Sequence, residues 1–336
     1  MKKFFAVIAA VLSVAIILVA CTNSKSNNNS TTKNNDDKSK ISIVTTIFPE
    51  YDWVRQILGE NQANVDLTML FDNGVDLHSY QPSADDMVKM SKCDLFIYVG
   101  GESDAWVDDA LKSAQNKNMK VINLLDVLGN SVKEEEQVEG MQAEEEEEEK
   151  EEGEEECPEY DEHVWLSLKN AKTLCSSIAD ALCEIDSKNA DVYKKNLNEY
   201  TKNLDALDKE YQQVVNSAKY DTLVFGDRFP FRYMVDDYSL KYYAAFVGCS
   251  AETEVSFETI KFLANKVDEL GVTTVLTIED PKHKIAQTVV ENTKEKNQKI
   301  LALNSLQSVT SNDVKNGETY LNVMQSNLDV LKQALN

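Results

Sequence analysis

Histidine is scarce in this 336-residue chain, which has only His78, His163 and His283. So few imidazoles leave no material for a histidine-built two-metal hydrolytic centre. Paired cysteines are missing as well. The six cysteines (Cys21, Cys93, Cys157, Cys175, Cys183 and Cys249) include no CxxC pair, so a zinc-ribbon site is not supported. The five beyond Cys21 are an odd number, and buried free thiols are the expected state. Positive charge is in short supply: 34 Lys and Arg face 58 Asp and Glu, a net charge of -24. A nucleic-acid partner is excluded, because phosphate binding needs a basic patch. No motif sets a serine or cysteine nucleophile beside a base, which argues against an enzyme.

What is present begins with an export signal. Lys2-Lys3 precede an apolar run, residues 4–20, that ends Leu18-Val19-Ala20-Cys21. This resembles the lipobox of bacterial lipoproteins. It implies a signal peptide over residues 1–20, cleavage before Cys21 and a lipid on its sulfur. Residues 22–40 are Asn, Ser, Thr, Lys and Asp without an apolar side chain, a composition that reads as a disordered tether. The folded part is expected at the outer face of a cell membrane, held there by the lipid.

From residue 41 strands and helices alternate. Strand patterns cover 41–47, 64–71, 95–99 and 120–125, with helical patterns at 51–58, 83–91 and 104–114 between them. Such alternation is the signature of a parallel sheet covered by helices. It stops at an acidic run with fifteen glutamates between positions 134 and 156; without these and Lys150 the net charge is about -10. Residues 133–158 are expected to form a disordered glutamate-rich loop. Order resumes near His163 with a helix carrying Ala171, Leu174, Ile178 and Leu182. A longer helical pattern over 189–218 contains no Pro or Gly. A second α/β half follows, with strands at 222–225, 242–246, 272–278 and 299–303 and helices at 256–270, 285–296 and 320–335. The expected organisation is an N-terminal α/β domain at 41–182, a linking helix at 186–218 and a C-terminal α/β domain at 219–336.

His78 lies in Asp76-Leu77-His78-Ser79-Tyr80-Gln81-Pro82-Ser83, after a turn signal at Asp72-Asn73-Gly74. A neutral imidazole on a strand-end loop suits metal ligation. His163 lies in Asp161-Glu162-His163-Val164-Trp165-Leu166-Ser167. Together with Thr45-Thr46-Ile47-Phe48-Pro49, Tyr51-Asp52-Trp53 and Asp94-Leu95-Phe96-Ile97-Tyr98-Val99-Gly100-Gly101, in this order and behind a lipobox, these stretches resemble the solute-binding lipoproteins of ABC importers for zinc and manganese. The resemblance spans about residues 41–336, apart from the acidic run.

The resemblance implies two α/β domains joined by a rigid backbone helix, with Zn2+, or alternatively Mn2+, held between them for delivery to a membrane permease and its ATPase. A monomer is expected. His78 and His163 match the family's first two ligands. The third place falls on Gly226, which has no side chain to offer, so Asp227 is the nearest substitute. The fourth falls on Asn304, and Glu279, at a strand's C-terminal edge, is the alternative carboxylate. The candidate set is therefore His78, His163, Asp227 and Glu279, in keeping with zinc's preference for about four nitrogen and oxygen ligands. His283, in a polar loop, is read as solvated. The competing function is an adhesin-like surface lipoprotein on the same scaffold.

Overall fold

The computed structural model describes residues 40–72, 74, 77–142, 160–250, 254–279 and 282–336. Cys21, residues 22–39 of the tether, Cys157 and residues 143–158 of the acidic run lie outside the described residues.

The β-branched run at the start of the domain becomes β1 (Ile41–Thr45). It pairs in parallel with β2 (Val65–Met69) on one side and β3 (Leu95–Tyr98) on the other, and β4 (Lys120–Asn123) extends the sheet beyond β3. The order is β2-β1-β3-β4. Central strands of such a sheet are covered on both faces, and Ile43, Val44 and Thr45 are accordingly buried in succession. α1 (Phe48–Leu58) returns over the sheet, with Pro49 in its first turn. The Glu50 carboxylate accepts the backbone N–H of Thr46 at 2.8 Å and of Ile47 at 3.3 Å, so this buried acid serves the helix start. α2 (Ala84–Lys92), α3 (Trp106–Lys112) and α4 (Leu124–Leu128) fill the remaining connections.

After α5 (Leu168–Ile185) comes α6 (Ala190–Asn216), 27 residues long. At 1.5 Å per residue it runs about 40 Å. Tyr193, Tyr200, Leu204, Leu207 and Tyr211 make its buried stripe, while Leu197 is half-buried. Its early turns touch the N-terminal half, where Asn196 donates to the Ile57 carbonyl at 2.9 Å. Its late turns touch the C-terminal half, where the Tyr211 hydroxyl donates to the Met324 carbonyl at 2.6 Å.

The C-terminal half places β5 (Thr222–Val224) beside β7 (Lys241–Tyr243), and β9 (Thr274–Thr277) beside β10 (Lys299–Ala302), all in parallel. A parallel bridge between Phe225 and Leu276 joins the two pairs. The resulting order, second strand, first, third, fourth, repeats that of the N-terminal sheet. α7 (Arg232–Tyr238), α8 (Phe257–Leu270), α9 (Lys284–Asn292), α10 (Ser311–Lys315) and α11 (Tyr320–Ala334) complete the half. One apolar cluster runs from Ile43 to Leu335 through both halves, and a smaller one around Val224, Ile260, Leu263 and Val275 lies in the C-terminal half alone. Polar ties cross the centre: Trp165 donates from its indole to the Ser305 carbonyl, and the Tyr320 hydroxyl donates to the Trp165 carbonyl, at 2.8 and 2.7 Å.

Two expectations change. The single strand read over 242–246 breaks at Ala244. Its first part is β7, and Phe246–Val247 becomes β8, which pairs with β6 (Arg228–Phe229). The break arises because the chain leaves one partner for another: Ala245 donates to the Asp227 carbonyl at 3.0 Å and accepts from Gln142 N–H at 2.9 Å. The disordered loop expected from residue 133 also starts later, because residues 133–142 form a strap over the C-terminal half. Lys133 N–H donates to the Tyr233 hydroxyl, Met141 is buried, and Ser256 N–H donates to the Gln142 side chain at 2.6 Å. Glutamate content hid these contacts, because composition does not show that Lys133, Met141 and Gln142, together with Glu135 and Glu136, find partners in the C-terminal half.

Leu204 is fully buried in the middle of α6. Leu204→Ala should cost about 2–5 kcal/mol, read as a lower urea midpoint at unchanged slope. Lys202→Ala, on the exposed face, should stay within about 0.5 kcal/mol of the parent.

Candidate metal centre

β2 runs out at Met69, and the backbone continues beside β1, with Leu70 and Phe71 N–H donating to the Thr45 and Thr46 carbonyls. The Leu77–Ser79 turn then folds back into the protein. Leu77 is buried and donates its N–H to Gln307, and Tyr80 lies against Phe71 with ring centroids 3.9 Å apart. This anchors His78 from both sides. Its Nδ1 lies 2.7 Å from the Ser103 hydroxyl and 3.6 Å from the Glu162 carboxylate.

His163 is fully buried at the entrance to the Val164–Leu166 turn. One Asp161 oxygen accepts both its backbone N–H, at 2.8 Å, and its ring Nδ1–H, at 3.0 Å. That carboxylate fixes the tautomer and leaves the lone pair of the neutral ring on Nε2. The Glu162 charge near Nδ1 of His78 favours the same tautomer there. The two Nε2 atoms face each other at 3.4 Å.

A third donor comes from a part of the chain that motif reading passed over. Cys249 follows β8, and its Sγ, His78 and His163 each offer an atom within 4.8 Å of the other two. Among the described residues this is the group of His, Cys and acidic side chains close enough to share one ion. Gly248 makes the approach possible, since a Cβ there would stand 2.9 Å from the Phe229 carbonyl and 3.2 Å from the His163 ring. Glu135, on the strap, accepts the Cys249 backbone N–H at 2.9 Å. Burial, with Asp161, Glu135 and Glu162 nearby, holds the Cys249 thiol well above its usual pKa. The sequence did carry one usable signal, the Gly248-Cys249 pair just after a short apolar strand. The four described cysteines outside the masked segments are free, and Cys93 and Cys175 are buried.

Asp227 and Glu279 do not join this group. Asp227 accepts from the Thr277 hydroxyl at 2.5 Å and from Ile278 and Arg228 N–H, which ties β9 to the start of β6. Glu279 accepts from the Ser305 hydroxyl at 2.6 Å, from Ser305 N–H at 2.8 Å and from the Ser308 hydroxyl. Both carboxylates are engaged in holding loops. Gly226 lacks a side chain for a packing reason: a Cβ there would lie 2.4 Å from Ala286 Cα on α9. Asn304 is used in a turn, accepting Leu306 N–H at 2.7 Å. His283 is half-buried at the start of α9, with φ +43°, rather than solvated in a loop.

The surroundings are strongly acidic. Burial raises the carboxyl pKa of Glu162 and, together with the neighbouring charge of Asp104, that of Glu50. Burial likewise pushes Asp104 up to about 7, against hydrogen bonds from Gly100 and Val99 N–H that lower it. A raised folded-state pKa means that protonation favours the fold. The Asp104 contribution is complete below its unfolded value near 4 and is lost as pH rises through about 7. In metal-free protein, Asp104→Asn should therefore flatten the fall of stability between about pH 4 and pH 7. Urea midpoints across that window, compared with the parent, are the measurement. An unchanged slope would show that Asp104 ionises in the folded state as easily as in the unfolded one.

Comparison with known proteins gives three consistent findings. A family model described as the zinc-uptake complex component A, periplasmic, matches residues 43–334. The zinc-binding lipoprotein AdcA of Streptococcus pneumoniae is 33% identical over 295 residues, covering 88% of this chain and 56% of AdcA. The high-affinity zinc uptake system protein ZnuA of Bacillus subtilis is 28% identical over 299 residues, 88% of each chain. The chain thus spans about half the length of the AdcA relatives it matches. Among solved structures, the Zn(II)-bound ZnuA-like domain of Streptococcus pneumoniae AdcA superposes with a TM-score of 0.67 at 29% identity, over 88% of this chain and 99% of that one. The laminin-binding protein Lmb of Streptococcus agalactiae, described as bifunctional with adhesin and metal-transporting activity, gives 0.69 at 25% identity over 88% and 100%.

Proposed function

The chain belongs to the ZnuA family of zinc-uptake components, and from that premise we propose that it captures Zn2+ between its two α/β halves and delivers it to the permease of an ABC importer. The observation that carries the reading is the facing pair of imidazoles. Two ring nitrogens bound to one tetrahedral zinc at about 2.0–2.1 Å stand about 3.3–3.4 Å apart, and His78 and His163 hold theirs at 3.4 Å. Asp161, Glu162 and Ser103 orient the rings from behind, the arrangement that makes imidazoles good ligands. One histidine comes from the loop after β2 and the other from the segment before α5. The Cys249 loop approaches from the C-terminal half, so capture draws the halves onto the ion.

The remaining parts of the reading follow the same lines. The chain acts as a binding protein rather than an enzyme. A lipid on Cys21 holds it at the extracytoplasmic face of the membrane. The permease and its ATPase partner are its functional neighbours, and it works as a monomer. Manganese is the alternative cargo. A second reading, surface adhesion on the same scaffold, is motivated by the likeness to Lmb. It places no demand on the paired histidines.

Titration calorimetry with zinc tests the proposal. Loss of a ring-orienting group costs about 10–100-fold in metal affinity. His78→Ala and His163→Ala should each lose more than that, and Asp161→Ala should fall within that range. Parent-like zinc affinity in both histidine variants, with native circular dichroism, would remove the reading.

A further inference from the structure

We propose that Cys249 binds the captured ion through its sulfur, as the third protein ligand beside His78 Nε2 and His163 Nε2, and that this sulfur biases the site toward zinc and against manganese. The assignment rests on the zinc-carrier reading and adds to it the identity of a ligand and the source of selectivity.

Geometry supports it first. Around a tetrahedral zinc with Zn–N near 2.0–2.1 Å and Zn–S near 2.3 Å, a nitrogen and a sulfur ligand stand about 3.5–3.6 Å apart. Sγ of Cys249 and one ring nitrogen of each histidine lie within 4.8 Å of one another, close enough for one ion to draw them together. The loop is built for that position. β8 pairs with β6 just before it, Gly248 leaves room for the His163 ring, and Glu135 holds the Cys249 backbone N–H. Asp227 and Glu279, the carboxylates first read as ligands, spend their oxygens on Thr277, Ser305 and Ser308.

Chemistry supports it second. On coordination the S–H bond breaks, its proton passes to solvent, and the sulfur's electron pair forms the bond to the metal. No electrons change owner. Two neutral imidazoles and one thiolate leave a single positive charge on the zinc complex, which the buried carboxylates of Asp161 and Glu162 surround. Soft sulfur suits zinc, whereas manganese prefers carboxylate, carbonyl and water oxygens. A Cys249 ligand in place of a carboxylate therefore separates the two metals more widely than nitrogen and oxygen ligands would.

The test uses the full chain loaded with Co2+, whose visible bands report a four-coordinate site and whose near-ultraviolet charge-transfer band reports a thiolate ligand. The parent should show both. Cys249→Ser and Cys249→Ala should lose the charge-transfer band, while Cys183→Ser keeps it. In chelator competition, both Cys249 variants should bind zinc at least about tenfold more weakly, with manganese affinity changed far less. A measurement without variants accompanies these. Zinc should protect Cys249 from iodoacetamide, mapped by mass spectrometry, while half-buried Cys183 alkylates equally with and without metal. Cobalt bound with visible bands but no charge-transfer band, or parent-like zinc affinity in both Cys249 variants, would overturn the assignment and leave the carrier reading standing. Failure of the parent to take up either metal would overturn both.

Discussion

The Nε2 atoms of His78 and His163 stand 3.4 Å apart. Asp161 fixes one ring by accepting from its Nδ1–H, and Ser103 and Glu162 bracket the other. When both nitrogens present lone pairs, a cation between them satisfies the pair at once. The rest of the site exists to hold them there. The Leu77–Ser79 turn is pinned by Gln307 and by Tyr80 on Phe71. The Val164–Leu166 turn is pinned by Trp165, whose indole reaches Ser305 in the C-terminal half. Fixing these groups before the ion arrives removes much of the ordering cost from binding.

The same polar ties explain why the halves are not independent. Asp52 accepts the N–H of Tyr320 at 2.9 Å, and the Tyr320 hydroxyl reaches the Trp165 carbonyl. The start of α11 is thus fastened both to α1 and to the segment carrying His163. α6 runs alongside, with buried side chains serving the N-terminal half at one end and the C-terminal half at the other. A continuous apolar cluster and a helix about 40 Å long join the two halves.

Electrostatics sets the character of the site. Glu135 and Glu162 lie half-buried or buried beside the histidines, Asp104 stands in the field of Glu162 and Glu50 in that of Asp104, and burial raises the pKa of each. Concentrated carboxyl groups in a low-dielectric pocket repel one another as anions and attract a divalent cation. The strap formed by residues 133–142 contributes Glu135 to this set. The acidic run is therefore more than a solvated spacer at its first residues, which pack against the C-terminal half.

The amino-acid sequence alone carries the alternation of strands and helices, the long helix and the two histidines. Each of these is written in local pattern: β-branched runs for the central strands, an apolar stripe for α6, and short motifs that cap turns around His78 and His163. It also recorded the vacancy at Gly226, though not its cause, which is the close packing of α9. What stands next to the histidines follows from packing. Asp227 and Glu279 were plausible because they lie near strand ends, yet their oxygens face Thr277, Ser305 and Ser308. Cys249 was read as one more buried thiol, and it reaches the histidines because the chain changes partner strands at Ala244 and turns at Gly248. Position along the sequence fixes which residues sit at a strand's edge. Which of them meet across 85 and 171 residues of chain depends on how two sheets and one long helix pack, and no local pattern encodes that distance.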